Sequence, residues 1–309
     1  HRNGSNTRVF REVSALGERL EHITDVVYPT CNRPKAAILF DWENWWAVED
    51  IQGPRTDMAY LETVLSHFRP FWELGIEVDF ISEADPMDGY ALVSAPLAYL
   101  YQEGYAERVK KFVEEGGTYL ATYFSGVVDE NDLCILDRHP LEEVLGIRTE
   151  EMDTVVPEVL PNTISFAGKS WKAGQLREVS HVVEDVKNPV KVLGSYEQDY
   201  YQGFPALTEK KYGKGRALYL ACETEKPFLK ALYERLAEEC GIRGEFTGRL
   251  PEGVAVSRRD GVRPAWFLQN FNRETAQVEL PFPFHGVEDG RTFEGSVTLK
   301  PYECLILTD

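Results

Sequence analysis

The sequence predicts an α/β fold, a parallel-sheet domain followed by a small antiparallel β domain, and three observations carry that expectation. Ala36, Ala37, Ile38, Leu39 and Phe40 run without a polar break and then meet Asp41. That is how a strand buried on both faces of a parallel sheet looks where it emerges at its carboxyl edge. Up to residue 124, further apolar segments are separated by helical stretches of about ten residues or more, which implies right-handed βαβ units. After Gly248 helical periodicity vanishes, and short strands are split by Arg-Asp-Gly, Asn-Arg-Glu and Pro-rich turns.

Taken in order, residues 7–22 set Val9, Phe10, Val13, Leu16 and Leu20, with Ile23 just beyond, on a helical stripe, with Thr7 or Asn6 as its N-cap. Residues 28–34, bounded by Pro29 and Pro34, form a loop, and the helix before it is expected to be the tail of a preceding domain. Beyond the first strand, Trp42, Trp45 and Trp46 interleave with Asp41, Glu43 and Asn44 in what is expected to be a loop. Rings among hydrogen-bonding groups suit a desolvated interface or a sugar-facing wall, and they equally suit a core cap over the sheet. Asp57 is expected to cap a helix carrying Tyr60, Leu61, Val64, Leu65, Phe68, Phe71 and Trp72, kinked at Pro70 and stopped by Gly75. Strands follow at 76–81, 90–96 and 118–124, with a helix at 105–115 closed by Gly116 and Gly117.

Regularity loosens after Ser125. A short helix is expected within 132–146, and short strands with turns between 155 and 220. A hairpin stands out at 207–220 around Gly213-Lys214-Gly215, and its second arm is a candidate last strand of the sheet. A helix spans about 226–239 with Leu229, Leu232, Tyr233 and Leu236 on one face, and Gly241 stops it. Short strands are then expected at 254–257, 265–270, 276–280, 296–299 and 304–307.

Composition bounds the function. Hydrophobic residues at 43% and charged residues at 27% describe a globular protein, and 309 residues leave room for two domains. Lys and Arg number 33 against 51 Asp and Glu, and the resulting net charge of −18 repels phosphate backbones and anionic lipid, so no nucleic-acid and no membrane partner is expected. Residues 246–309 hold seven of those cations and nine of the anions, which places the acidic excess in the α/β part. The chain begins with neither a signal-peptide core nor an initiator Met, and it is expected to be an excised piece. Cys31, Cys134, Cys222, Cys240 and Cys304 lie at least 18 positions apart, without zinc spacing or a disulfide framework. A reduced, cytoplasmic setting and no metal or other cofactor are expected.

The turn after the first strand holds Asp41-Trp42-Glu43-Asn44-Trp45 where a dinucleotide site needs glycines. Ser94 is the hydroxyl nearest to a nucleophile position after a central strand, but no glycine elbow surrounds it. Paired carboxylates such as Asp41 with Glu43, or Glu142 with Glu143, carry little information in so acidic a chain. His139 and His181 read as structural histidines.

Several ordered stretches nonetheless carry a specific pattern. They are residues 6–13 (Asn-Thr-Arg-Val-Phe-Arg-Glu-Val), 38–47 around Asp41 and the tryptophans, 113–118 (Val-Glu-Glu-Gly-Gly-Thr), 124–132 (Phe-Ser-Gly-Val-Val-Asp-Glu-Asn-Asp) and 146–151 (Gly-Ile-Arg-Thr-Glu-Glu). Together they resemble the C-terminal half of the family 42 β-galactosidases, glycoside hydrolases that release terminal β-galactose. The resemblance covers essentially the whole chain. It implies that residues 1–34 are the closing helix and linker of a catalytic (β/α)₈ barrel. Residues 35–245 would be a trimerisation domain of flavodoxin-like, class I glutamine-amidotransferase-like fold, and 246–309 a small β-sandwich domain. The family's catalytic glutamates and zinc-binding cysteines belong to its barrel, so no catalytic residue is expected here and Cys31 inherits no zinc role. The expected partners are further copies of the chain in a homotrimer, and β-galactosides through the parent's catalytic domain. Asp41, Trp42, Glu43, Trp45 and Trp46 are the expected subunit-interface and active-site-entrance residues. The alternative is a self-sufficient hydrolase or amidotransferase-like enzyme.

Overall fold

A computed structural model describes residues 4–28, 30–55, 57–155, 159–246 and 250–309. Pro29 and Gly248, named above as a loop boundary and as the start of the β region, lie outside the described residues. The chain divides into two compact units: His1–Arg33 with Trp72–Ile76 and Arg243–Asp309, and Pro34–Phe71 with Glu77–Ile242.

The chain opens with a 3₁₀ turn, Gly4–Asn6, and helix α1, Arg8–His22. Thr7 caps α1, its Oγ1 accepting the Phe10 N–H at 3.2 Å. No residue of α1 is buried, and Val9, Phe10, Val13, Leu16 and Leu20 are all exposed. Helix α2, Thr24–Val27, turns Val26 inward.

The α/β unit then runs through β1 (Ala36–Leu39), α3 (Trp42–Asp50), α4 (Tyr60–Glu73), β2 (Val78–Ile81), β3 (Leu92–Ala95), β4 (Leu100–Tyr101), α5 (Tyr105–Glu115), β5 (Thr118–Thr122) and β6 (Val128–Asp129). It continues with α6 (Glu142–Leu145), β7 (Ile147–Thr154), β8 (Thr163–Phe166), β9 (Lys169–Val182), β10 (Lys191–Ser195), β11 (Pro205–Tyr212), β12 (Gly215–Leu220), β13 (Cys222–Thr224) and α7 (Lys226–Glu239). Seven strands form the main sheet in the order β10-β11-β12-β5-β3-β1-β2. The five from β12 to β2 are parallel, with Ala36 opposite both Val78 and Leu92, and Thr118 opposite both Leu92 and Arg216. Every residue of β1, β3 and β5 is buried, which is why these strands read as uninterrupted apolar runs.

Four expectations are corrected here. The sheet is mixed, because the two-residue link Gly213-Lys214 forces β11 antiparallel to β12, and β10 adds antiparallel beyond it. The second hairpin arm, β12, is therefore interior rather than last. Gly213 is required at that link: φ is +58°, and a Cβ there would fall 2.5 Å from Glu114 Cα. The short helix expected within 132–146 is α6, ended by Gly146 at φ +67° as its sequence suggested. Between 147 and 182 the chain forms two long strands, β7 and the 14-residue β9, in a separate antiparallel sheet with β8 and β13. The helix expected from Asp57 starts at Tyr60, and the Asp57 carboxylate instead accepts Arg55 Nε at 2.8 Å.

The β unit holds β14 (Val254–Arg259), β15 (Ala265–Asn270), β16 (Ala276–Glu279), β17 (Phe284–Gly286), β18 (Thr292–Phe293), β19 (Ser296–Leu299) and β20 (Cys304–Thr308). A five-stranded sheet, β14-β15-β20-β17-β18, and the β16-β19 pair enclose a core that includes Trp266, Leu268, Val278, Phe284 and Leu299. Within this unit Ile23 and Val26 pack with Ala265 and Ile306. Arg19 forks onto Glu288, both bonds at 2.7 Å, and donates to Cys304 O at 2.8 Å.

Candidate functional site

The Trp-rich stretch is a helix, not the expected loop, and Asp41 is the reason. It sits in extended backbone at the end of β1, and its Oδ1 accepts the N–H groups of Glu43 (3.0 Å) and Asn44 (3.3 Å). This is an N-cap, satisfying donors that the first helical turn leaves orphaned. The Asp41 N–H donates to Tyr60 Oη at 3.1 Å, and Oδ2 accepts the Glu83 N–H at 3.4 Å. One buried carboxylate thus ties α3 to the segment after β2. Fully buried Asn44 adds a second tie, donating from Nδ2 to Leu97 O (3.0 Å) and accepting the Leu100 N–H (2.9 Å) at the turn after β3.

Helical spacing then places Trp42, Trp45, Trp46 and Glu49 on one face of α3. Trp42 stacks on Trp45 with ring centroids 5.1 Å apart and lies 6.3 Å from Trp46, while Phe40 meets Trp42 and Trp45 edge-on. Trp45 is half-buried, its Nε1 donating to Glu49 at 2.5 Å. Trp42 and Trp46 are 57% and 62% exposed, so these two rings present the cluster outward. Glu43 is exposed and accepts from Gln102 Nε2. The five expected residues are therefore brought together at the carboxyl edge, with Asp41 as the cap and the others on or beside the surface.

Two buried carboxyls at the same edge escaped the sequence reading. Glu83, fully buried after β2, accepts the Gln102 N–H through Oε2 at 2.5 Å, while its Oε1 has no partner. Burial pushes this carboxyl up to about 8. Glu178, on β9, accepts the Phe124 N–H at 2.9 Å and the Tyr219 hydroxyl at 2.5 Å, and burial raises it to about 7. Phe124, which Glu178 holds, follows β5 with φ +58° and stacks on Tyr99 at 4.9 Å. The position of Glu83 at a strand's carboxyl end was the available signal for it; nothing local marks Glu178, because the short strands expected between 155 and 220 do not give the length or bounds of β9.

Ser94 is buried and shares its Oγ with the Tyr233 hydroxyl at 2.6 Å, which in turn lies 2.6 Å from His67 Nδ1. Burial holds His67 down to about 3, so a neutral imidazole ends a chain of three buried groups joining β3, α7 and α4. That arrangement makes Ser94 a structural link rather than an accessible nucleophile. His139 is equally a packing residue: Nε2 lies 3.0 Å from Ser125 O, and Nδ1 accepts the Leu141 N–H at 2.9 Å. His181 pairs with Glu150 at 3.0 Å, and Glu142 accepts a forked Arg148 at 2.8 and 2.9 Å. Among the described residues no group of three or more His, Cys, Asp and Glu is placed to hold a metal ion, and no helix is long and apolar enough to cross a membrane.

Comparison with known proteins agrees along the whole chain. The family described as the β-galactosidase trimerisation domain matches residues 34–243, and that described as the β-galactosidase C-terminal domain matches 253–309. Beta-galactosidase BglY of Alicyclobacillus acidocaldarius is 41% identical over 99% of this chain, and Beta-galactosidase Pbg of Clostridium perfringens is 36% identical over 99%. The solved β-galactosidase of Bacillus circulans sp. alkalophilus superposes with a TM-score of 0.89 at 34% identity over 98% of this chain. In each case the match takes up 45% of the relative, so the chain spans a little under half the length of the proteins it resembles. With both of its units matched in order, the chain belongs to the family 42 β-galactosidases, as their trimerisation and C-terminal β domains.

Proposed function

We propose that this chain is the non-catalytic assembly portion of a β-galactosidase acting on terminal non-reducing β-D-galactose residues, and that its α/β unit joins copies into a homotrimer. The observation that carries this reading is the trimerisation-domain match over residues 34–243, coupled with the outward rings of Trp42 and Trp46 at the carboxyl edge. Ligands and partners of open α/β sheets gather at that edge, and clustered tryptophans are typical interface anchors. Asp41, Trp42, Glu43, Trp45 and Trp46 thus form the subunit contact and, in the whole enzyme, part of the entrance to the galactoside site. The parallel strand order β2-β1-β3-β5-β12 follows the flavodoxin-like sequence 2-1-3-4-5, which supports the flavodoxin-like, amidotransferase-like description of residues 35–245. The exposed stripe of α1 supports residues 1–34 as the closing helix of a catalytic barrel, since an apolar helical face calls for a cover. Residues 246–309 form the small β domain. Five free cysteines fit a cytoplasmic setting.

Light scattering tests assembly. A trimer is expected, strengthened by salt, because the −18 charge opposes association and salt screens it. Monomer alone at high protein concentration, in low and high salt alike, overturns the assembly reading. Hydrolysis of a chromogenic β-galactoside by this chain, lost on mutating one of its carboxylates, overturns the non-catalytic one.

A further inference from the structure

A second opening in the α/β unit shares no residue with the aromatic edge. A cavity of about 360 Å³ lies beyond the carboxyl ends of β5 and β12, between the first turns of α4 and α7. Its volume falls in the lower range of small-molecule sites.

Its charges are largely spent on one another. Arg55 donates to Glu223 at 2.6 Å and to Asp57 at 2.8 Å, with only 15% of its side chain exposed. The other Glu223 oxygen accepts the Gln175 and Leu176 N–H groups at 3.0 and 3.3 Å. An anion would find no uncommitted guanidinium here, and Glu62 and Glu225 on the rim repel it further. Lys172 adds an exposed ammonium at the rim, where carboxylates outnumber it, and the buried wall that is left is neutral and two-sided. The Thr224 Oγ1 is buried without a hydrogen-bond partner, and a hydroxyl both donates and accepts. His67 lines the same wall, 2% exposed, in the uncharged form that ends the chain through Tyr233 to Ser94. Hydroxyls that both donate and accept, beside rim carboxylates that only accept, match a ligand made of hydroxyl groups.

We propose that this cavity binds a neutral polyhydroxylated ligand of monosaccharide size, engaging the Thr224 hydroxyl, the His67 imidazole and the Arg55–Glu223 pair. The class follows from the lining alone and does not rest on the galactosidase reading. Calorimetric titration of the chain with galactose, glucose and inositol tests it, with putrescine as a cationic contrast. At least one of the three neutral probes is expected to bind saturably. Thr224→Val, which keeps shape and removes the hydroxyl, is expected to weaken that binding about tenfold with the melting temperature of the free chain unchanged. Arg55→Gln, on a surface loop, serves as the second variant and is expected to act in the same direction. Saturable binding by none of the neutral probes, unchanged affinity in both variants, or tighter binding of putrescine overturns the proposal.

Discussion

The two units bury polar groups differently. In the α/β unit Asp41, Glu83, Glu142, Arg177, Glu178 and Lys210 are all buried, together with His67 and Ser94, whereas the described residues of the β unit bury only Asn270 and Thr308 among polar side chains. Asn270 is a turn clamp, its Nδ2 donating to Glu274 O and Lys300 O at 2.8 and 2.9 Å. The β unit is thus held by apolar packing, with a core in which Trp266 and Phe284 face inward. The α/β unit is held as much by specific buried hydrogen bonds that pin loops at its carboxyl edge. Packing tolerates change in proportion to volume, while a buried polar network fails where one member is lost. The unit proposed to assemble copies is therefore the one whose edge is conditional on individual donors and on charge.

Arg177 gives the largest expected break in this contrast. It is fully buried on β9, and its guanidinium donates to Gly174 O, Tyr201 Oη and Leu160 O at 2.9, 3.2 and 3.0 Å. Arg177→Ala removes the donor to all three oxygens, of which Tyr201 Oη keeps its bond to Asp153 at 2.9 Å, and leaves a cavity, at an expected cost of about 4 kcal/mol to the α/β unit. The matched change in the β unit, Leu268→Ala, only empties packing space and is expected to cost about 3 kcal/mol. Denaturant unfolding with hydrogen-exchange mass spectrometry separates the two units. If Arg177→Ala costs less than Leu268→Ala, the contrast between network and packing is wrong.

The same contrast explains what the sequence made legible. Strands buried on both faces, β1, β3 and β5, announce themselves as apolar runs, and α5 and α7 have the 3.6-residue spacing of a one-sided core. β15 and β19 were readable because one face is dry. β7 was invisible because seven of its eight residues lie outside the core, so no period of two marks it, and β9 switches between exposed and buried along its length. The Trp helix was mistaken for a loop because its apolar rings point outward and its short length hides the period, although an Asp at a strand end is itself an N-cap signal. Glu83 is marked only by its place just after a strand's carboxyl end and Glu178 by nothing local, since the burial of both is set by residues far away in sequence.

Tryptophan itself behaves differently in the two units, and this sharpens the comparison on the outer surface. Trp266 is buried against Phe284 at 5.1 Å, whereas Trp46 stands outside the fold. Trp46→Ala is expected to weaken association by about 2 kcal/mol while leaving the melting temperature of the α/β unit in place. Sedimentation velocity and thermal melting of Trp46→Ala and Trp42→Ala decide between anchor and core cap. Lowered melting in both, with trimer formation intact at low temperature, favours the cap.

The smallest expected effect is pH dependence, and it too separates the units. Glu83 and Glu178 are raised from 4.5 to about 8 and about 7, so between those values the unfolded chain releases protons that the folded unit retains. Stability then falls as pH rises through that window. His67 and His139 work the other way. Burial lowers them from 6.5 to about 3 and about 4, so the unfolded chain binds the extra protons and stability rises with pH up to about 6.5. The two effects oppose each other between pH 4.5 and 6.5, leaving the glutamates alone above it. The α/β unit is expected to lose about 1 kcal/mol for each raised carboxyl between pH 6.5 and 8. In the β unit Asp289 is lowered from 3.8, and its contribution is present above that value and lost only in stronger acid. Glu83→Gln and Glu178→Gln should each flatten the decline seen in denaturant midpoints of the α/β unit. A slope that persists in the double variant would assign the titration to other groups, and the edge would then owe its hold to packing, as the β unit does.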